Sequence, residues 1–204
     1  MVGKIGFNSE GVGLCFNALT TNKKSYDVPI HLALRNILES STLSEAIANV
    51  KDGQVACTAS LLIGKADEDG SGMVINLEVS PFGIYFMEHV SGTLVHTNHI
   101  CSKELLSRLE DRNEFKYEDS TIRKLRAEQL VQIALQSGRE IDTELYKEWL
   151  ADTFNAPNAI NHDANPQAPE HRQMETVFSI VMNLSKKRYY LCVGKPQEAS
   201  FVEI

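Results

Sequence analysis

Short apolar segments dominate the first half of the chain, and they constrain the fold more than any other feature of the sequence. In the segment 11–19, large apolar residues alternate with small or polar ones, which predicts a strand with one large-residue face. A turn rich in Asn, Ser and Gly joins it to an apolar segment at 2–7, so the two predict a hairpin. Four further segments predict strands at 55–63, 72–79, 82–89 and 93–96. Short loops between them favour a largely antiparallel sheet.

Helical spacing of apolar residues predicts helices inserted between these strands and after them. Pro29 is suited to a first helical turn, with Asp27 as a cap, and the helix runs to Glu39. Thr42 and Glu45 form a capping box for a second helix. Three more helices are predicted at 102–110, 120–136 and 142–153, and a strand pair at 178–193 closes the chain. We therefore expect a single domain of the α+β class over residues 1–204.

Charge and hydropathy exclude several classes of function. The net charge is -7 without any basic block, which argues against binding to nucleic acids or to anionic membranes. No apolar run reaches the roughly 18 residues that span a bilayer. We expect a cytoplasmic protein, because no signal peptide or C-terminal peroxisomal tripeptide is visible. The four dispersed cysteines are typical of reduced thiols.

The polar tetrad from His96 to His99 is the best candidate for a functional site. It follows a predicted strand, and strand ends hold polar groups in fixed positions. The amide of Asn98 is a suitable donor to a developing oxyanion, an interaction worth roughly 3–4 kcal/mol. His96 and His99 are predicted on opposite faces of a strand, so we expect no metal site. The predicted pattern assigns all four cysteines to core packing, and a nucleophile is not apparent from the residues alone. The cysteines are Cys15, Cys57, Cys101 and Cys192.

Several stretches, taken together and in order, resemble the penicillin acyltransferase family (acyl-coenzyme A:6-aminopenicillanate acyltransferases), which belongs to the N-terminal-nucleophile hydrolases. They cover about the first half of the chain, and the match after Cys101 is weak until Val193–Pro196. The matching stretches are Gly3–Ser9, Gly11–Gly13, Asn17–Leu19, Val28–Arg35, Leu38–Ser40, Leu77–Pro81 and Val95–His99.

The resemblance implies an αββα sandwich with largely antiparallel sheets, and a precursor that cuts itself before a cysteine. In this family that cysteine lies upstream of the Gly3–Ser9 match. The resemblance therefore implies that the chain is the C-terminal part of such an enzyme, with the first strands of the sandwich missing. It also implies that Asn98 helps to hold the oxyanion and that Asn17 lines the same pocket. Further substrate contacts are expected from Ser80, Thr97 and His162, the last of which stands where the family carries an arginine.

The expected activity is that of an acyltransferase or amidohydrolase that needs its cysteine-bearing segment. No cofactor is expected, and acyl-coenzyme A enters only as a substrate beside an amide or an amine acceptor. Two alternatives stay open from the sequence. One is a catalytically inactive binding remnant of the same fold, and the other is a separate subunit that pairs with a nucleophile-bearing partner. Neither the acyl donor nor the acceptor follows from the residues.

Overall fold

A computed structural model describes residues 3–51, 54–89 and 92–204 of the chain. The chain divides into two compact units: Met1–Glu114 with Leu184–Lys187, and Phe115–Asn183 with Arg188–Ile204. The single domain over all 204 residues stays a prediction. Helices and antiparallel strands both occur, which confirms the α+β class. Among the described residues, no helix is both long enough and apolar enough to span a bilayer.

The first unit contains a five-stranded antiparallel sheet in which each strand pairs with its neighbour in sequence. Its strands are β1 (Gly6–Phe7), β2 (Val12–Ala18), β3 (Ala59–Ala66), β4 (Gly72–Ser80) and β5 (Gly83–Met87). Its helices are α1 (Ile30–Ile37), α2 (Leu43–Ala48) and α3 (Lys103–Leu106). The predicted hairpin at the start is confirmed from Gly6 onward, and residue 2 lies outside the described residues.

Helix starts follow the local sequence signals, with one difference. The Thr42 hydroxyl accepts the N–H of Glu45 at 3.2 Å, so the predicted cap of α2 is confirmed. Helix α1 begins directly after Pro29, and no side chain caps it. The predicted cap at Asp27 is therefore wrong, because Pro29 already fixes the backbone angle that the first turn needs.

One face of the five-stranded sheet, here called the apolar face, carries the hydrophobic core of the first unit. Leu61 lies opposite Phe16 on one side and Leu77 on the other, and the Leu61 and Leu77 side chains are fully buried. Buried residues of α1 and α2, among them Leu34 and Ala46, belong to the same cluster. Because side chains alternate along a strand, this packing leaves every second residue for the opposite face.

The opposite face, here called the polar face, carries mainly small and polar side chains that are nevertheless buried. Asn17, Ser60 and Glu78 are cross-strand neighbours on β2, β3 and β4. Ser60 exchanges hydrogen bonds with Asn76 on the next strand, at 3.0 and 3.4 Å. A buried polar row of this kind needs partners above the sheet, since unpaired buried polar groups are costly.

The strand predicted at 93–96 is not formed, and these residues run as an irregular segment. The predicted helix at 102–110 is also shorter, since α3 covers Lys103–Leu106. The strand predicted from residue 55 begins only at Ala59. Side-chain hydrogen bonds, described below, take the place of a strand ladder in the irregular segment.

The second unit combines two helices with a three-stranded antiparallel sheet. The helices are α4 (Thr121–Ser137), preceded by a π-helical turn at Lys116–Ser120, and α5 (Thr143–Leu150), with a short 3-10 turn at Glu170–Arg172. The strands are β6 (Phe178–Asn183), β7 (Arg188–Val193) and β8 (Val202–Glu203). Asp142 caps α5 as predicted, since its carboxylate accepts the N–H of Leu145 at 2.8 Å. Gly138 ends α4 in the left-handed conformation that favours glycine.

Candidate functional site

The candidate site is built on residues 96–102, here called the site segment, whose main chain is bonded by side chains from the polar face. The Asn17 amide on β2 donates to the carbonyl of His96 at 3.0 Å and to that of Thr97 at 3.1 Å. These two bonds fix the path of the segment across the end of the sheet. Asn17 thus positions the segment through its backbone.

Glu78 on β4 is the second anchor of the site segment. Its carboxylate is fully buried and accepts three N–H groups: His96 Nε2 at 2.8 Å and the backbone amides of Cys101 at 2.6 Å and Ser102 at 3.0 Å. A buried carboxylate is costly unless it is paired and hydrogen-bonded. The three donors meet that condition. The bonds also hold the site segment on the sheet, and without the segment the Glu78 carboxylate would be buried without these partners.

The residues that follow α3 complete the support of the site segment. The Asp111 carboxylate accepts the N–H of Ile100 at 3.0 Å, and the Asn113 amide donates to the carbonyl of Asn98 at 2.7 Å. Ile100 itself is buried in a small apolar cluster with Leu105. The segment therefore has no regular secondary structure, yet side chains bind several of its backbone N–H and C=O groups.

The His96 ring lies between two hydrogen-bond acceptors, and this arrangement determines the charge of the ring. Its Nδ1 lies 2.8 Å from the carbonyl oxygen of Thr97, and its Nε2 lies 2.8 Å from the Glu78 carboxylate. A carbonyl and a carboxylate can only accept, so both ring nitrogens donate and the ring is an imidazolium. Burial lowers the pKa of His96, but hydrogen bonds and charges from Cys101 and Glu78 outweigh it and raise the pKa to about 9.

The Cys101 thiol lies beside this imidazolium. Burial raises the pKa of the thiol, and hydrogen bonds and charges from His96 and His99 oppose it, leaving the pKa lowered to about 7. The other three thiols behave differently, because burial raises the pKa of each, to about 11 for Cys15. Core packing remains the interpretation for those three. Cys101 differs from them in the two histidines that lie beside its thiol.

Three donor atoms, on Glu78, His96 and Cys101, lie within 4.8 Å of one another, close enough to raise the question of a metal ion. The contact of 2.8 Å between His96 Nε2 and the Glu78 carboxylate decides against that interpretation. Two ligands at about 2.1 Å from a tetrahedral zinc ion stand about 3.4 Å apart. We therefore interpret the group as a hydrogen-bonded ion pair with a neighbouring thiol.

The two histidines of the tetrad were predicted on opposite faces of a strand, and that prediction is wrong. Their rings stack with centroids 6.5 Å apart and planes inclined by 28°. Since the segment is not a strand, its side chains do not alternate, and both rings reach Cys101. The Thr97 hydroxyl, predicted to contact substrate, is buried and lies 3.3 Å from His99 Nδ1.

Asn98, the predicted oxyanion donor, is half-buried at the surface of the site segment. Its amide donates to the carbonyl of Ala18 at 3.3 Å, at the end of β2. The side chain thus has a defined orientation beside the strand that also carries Asn17. The structure brings these two predicted catalytic residues together.

Ser80 and His162, predicted to contact substrate, have other partners. The Ser80 hydroxyl is buried in the hairpin between β4 and β5, where it accepts the N–H of Phe82 at 3.0 Å and donates to Gly83 at 3.3 Å. His162 belongs to the second unit, where its Nδ1 lies 3.0 Å from the carbonyl of Met174. Its Nε2 lies 3.8 Å from Asp119. Their contacts with substrate stay predictions.

Sequence reasoning missed Glu78 and Cys101. Glu78 stands between Leu77 and Val79, in a run that otherwise predicts a buried strand. A charged residue inside such a run is the signal that could have marked it, because carboxylates are almost never fully buried without a partner. Cys101 offered no comparable signal, since its partner His96 reaches it only through the bend of the site segment.

A comparison with solved structures defines the class of fold. The chain matches the crystal structure of a variant of conjugated bile acid hydrolase from Clostridium perfringens with a TM-score of 0.62. The match covers 99% of this chain and 73% of that one at 12% identity. At this identity the likeness shows the fold alone, and the fold is that of the N-terminal-nucleophile hydrolases.

Comparison with family models identifies the family within that class. Residues 1–198 match the family described as acyl-coenzyme A:6-aminopenicillanic acid acyl-transferase, and the chain belongs to this family. It is 31% identical over 199 residues to the 40 kDa form of acyl-coenzyme A:6-aminopenicillanic-acid-acyltransferase from Emericella nidulans. That match covers 96% of this chain and 51% of the relative, so the chain spans about half the length of that relative.

Proposed function

We propose that this chain forms the oxyanion-binding part of an acyltransferase or amidohydrolase that acts on amide or thioester bonds. In the proposed reaction, the thiol of an N-terminal cysteine, supplied by polypeptide outside these 204 residues, attacks the carbonyl carbon. The α-amino group of that cysteine takes the thiol proton and returns it to the leaving amine or thiol. An amine or water then releases the acyl group from the cysteine, giving transfer or hydrolysis respectively.

The observation that carries this proposal is the fixed amide of Asn98 on a half-exposed, fully supported segment. An oxyanion donor accelerates a reaction only when it is already oriented, because no reorganisation is then needed as charge develops. The bonds from Asn98 to Ala18 and from Asn113 to the Asn98 carbonyl provide that orientation. In the proposed mechanism, Asn98 donates to the carbonyl oxygen as the thiolate adds.

Asn17, Glu78 and His96 act in this proposal as positioning residues. They bind the backbone and ring of the site segment and so hold Asn98 in place. Small displacements of a catalytic group cost large factors in rate, so their contribution to turnover is indirect but large. Substrate contacts by Ser80, Thr97 and His162 stay predictions of the sequence.

The substrate class follows from the named relative and from the chemistry. We propose an acyl-coenzyme A or a small amide as acyl donor and a primary amine as acceptor, with 6-aminopenicillanic acid as the first acceptor to test. Coenzyme A is then a leaving group, and no cofactor is required. A nucleic-acid partner is not proposed, since a net charge of -7 without any basic block disfavours binding to polynucleotides.

Replacing Asn98 by alanine tests the proposal. A longer protein that contains these residues and the cysteine segment is assayed for coenzyme A release from an acyl-coenzyme A, with and without 6-aminopenicillanic acid. Asn98→Ala is expected to lower kcat by about 10²–10³ with little change in KM, because the bond forms only as the oxyanion develops.

Asn49→Ala is the matched control, since it removes an amide from the C-terminus of α2, where it bonds Asn36 and Ser40. Its turnover should equal that of the unmodified protein. Unchanged kcat in Asn98→Ala would remove Asn98 from the mechanism. Saturable binding of the acyl-coenzyme A without any turnover would instead favour the binding remnant.

A further inference from the structure

The Cys101 thiol is the nucleophilic group that the proposed acyl-transfer reaction does not use. It is half-buried, as is Cys57. Cys101 follows Asn98 closely in sequence, and its own backbone N–H is bonded to Glu78 at 2.6 Å. The thiol therefore sits at a fixed place on the site segment.

The charge next to this thiol follows from geometry. His96 donates from both ring nitrogens, to Thr97 and to Glu78, and is therefore positively charged. The negative charge of Glu78 is spread over three N–H donors, two of which belong to the backbone of the site segment. The His96 cation lies within 4.8 Å of the sulfur and favours the thiolate over the thiol. The Glu78 carboxylate lies within the same distance and opposes this effect, with its charge shared among those three donors.

We propose that Cys101 is a reactive modification site that forms mixed disulfides with low-molecular-weight disulfides. The Cys101 thiolate attacks one sulfur of the disulfide, a new S–S bond forms to Cys101, and the other sulfur leaves as a thiolate. The Cys101 sulfur is oxidised and the leaving sulfur is reduced, so the step needs no other oxidant. The added group would stand on the site segment that carries Asn98.

This inference does not depend on the proposed acyltransferase activity, because the reaction needs neither an acyl donor nor the cysteine segment. The titratable groups that face the thiol are His96, His99 and Glu78, whose carboxylate lies within 4.8 Å of the sulfur. Hydrogen bonds and charges of the two histidines lower the pKa of Cys101 to about 7, whereas burial raises the pKa of Cys57. Cys57 is thus an internal control that is also half-buried, but at which burial outweighs the charge of Lys24 and raises the pKa.

The test measures alkylation of each cysteine by iodoacetamide at pH 7, followed by peptide mass mapping, in the folded protein. At this pH about half of a thiol with a pKa of about 7 is ionised, against a few per cent or less for Cys57. The lower intrinsic nucleophilicity of the more acidic thiolate offsets part of this advantage. Cys101 should therefore react about fivefold faster than Cys57, and glutathione disulfide should label Cys101 first.

Two further measurements keep the inference falsifiable. The alkylation rate of Cys101 in the unmodified protein should rise to a plateau with a midpoint near pH 7, whereas that of Cys57 should still be rising at pH 9. His96→Gln should remove the rate advantage of Cys101, and the matched His31→Gln should keep it. Equal rates for the two thiols in the folded protein, or an ordinary thiol midpoint for Cys101, would overturn the inference.

Discussion

The two faces of the five-stranded sheet are built from the same strands but serve different purposes. The apolar face places Leu61 and its neighbours in the main hydrophobic cluster of the first unit. The polar face places Asn17, Ser60 and Glu78 in one row across β2, β3 and β4. In each strand, the residue of this row is next in sequence to a residue of the apolar face. On one face stability comes from removing apolar area from water, and on the other from completing hydrogen bonds.

This difference teaches how a stable strand can carry a functional group. Leu77 and Val79 hold β4 in the core, so Glu78 between them has almost no freedom to move. The rigid strand then presents a buried carboxylate to the site segment. Substitutions on the two faces should therefore have different effects. On the apolar face they should reduce packing, and on the polar face they should reduce stability and also disturb the geometry of the site.

Glu78→Gln should have the largest effect, because it leaves His96 buried without its counter-ion. Removing one partner of a buried ion pair costs about 3–5 kcal/mol in free energy of unfolding. The His96 pKa of about 9 lies above its unfolded value, so this contribution is full below about pH 6.5 and is lost as the pH rises through 9. Urea unfolding at several pH values should show the cost of Glu78→Gln shrinking as the pH rises from about 6.5 to about 9, and smallest above pH 9.

Glu39→Gln is the control for that substitution, since the pair of Glu39 with Arg35 is exposed to solvent. Exposed pairs contribute about 0–1 kcal/mol, so this variant should unfold almost as the unmodified protein does. If both variants lose the same stability, or if the cost of Glu78→Gln does not vary with pH, the ion pair assigned to the polar face is refuted.

Leu61→Ala should come next, with a loss of about 2–5 kcal/mol through the cavity it leaves in the core. The adjacent Leu62→Ala is the matched control, because Leu62 is half-buried and points to the opposite face. It should lose clearly less stability. Denaturant unfolding of both variants measures the difference, and equal losses would contradict the assignment of the faces.

Ser60→Ala should have the smallest effect of the three. It removes the hydroxyl that bonds Asn76 across the polar face and leaves a buried amide without that partner. The expected cost is about 1–3 kcal/mol, at the low end if Asn76 finds another acceptor. A stability equal to or above that of the unmodified protein would show that the Ser60–Asn76 bond contributes nothing to the polar face.

Much of the fold could be predicted from the sequence because its signals are local. The alternation around Leu14 predicts β2, and the Thr42 and Asp142 caps mark the starts of two helices correctly. The prediction of a strand at 93–96 is wrong, because it assumed that the apolar residues there belong to a strand paired with a neighbour. In the structure, side chains of the sheet bind the main chain directly after it.

Less of the candidate site could be predicted. Asn98 was predicted from the polar tetrad as well as from the family resemblance, and Asn17 from the resemblance. The two residues do lie together, but neither signal carries information about what each amide bonds. Glu78 and His96 are 18 residues apart, and their contact exists only after the chain crosses β5 and returns. The period-two pattern of strands and the period of helices do not encode such contacts. The charge state of His96 and the environment of Cys101 therefore became known only from the structure.

The support of the site segment from outside has a consequence for how such a site evolves. Asn17, Glu78, Asp111 and Asn113 bind its main chain, and a backbone atom is the same whatever side chain it carries. Residues of the segment other than His96, which pairs with Glu78, and the buried Ile100 can therefore be exchanged one at a time while its course is preserved. Substitutions at these positions can then change substrate preference in evolution without prior changes in the sheet that supports them.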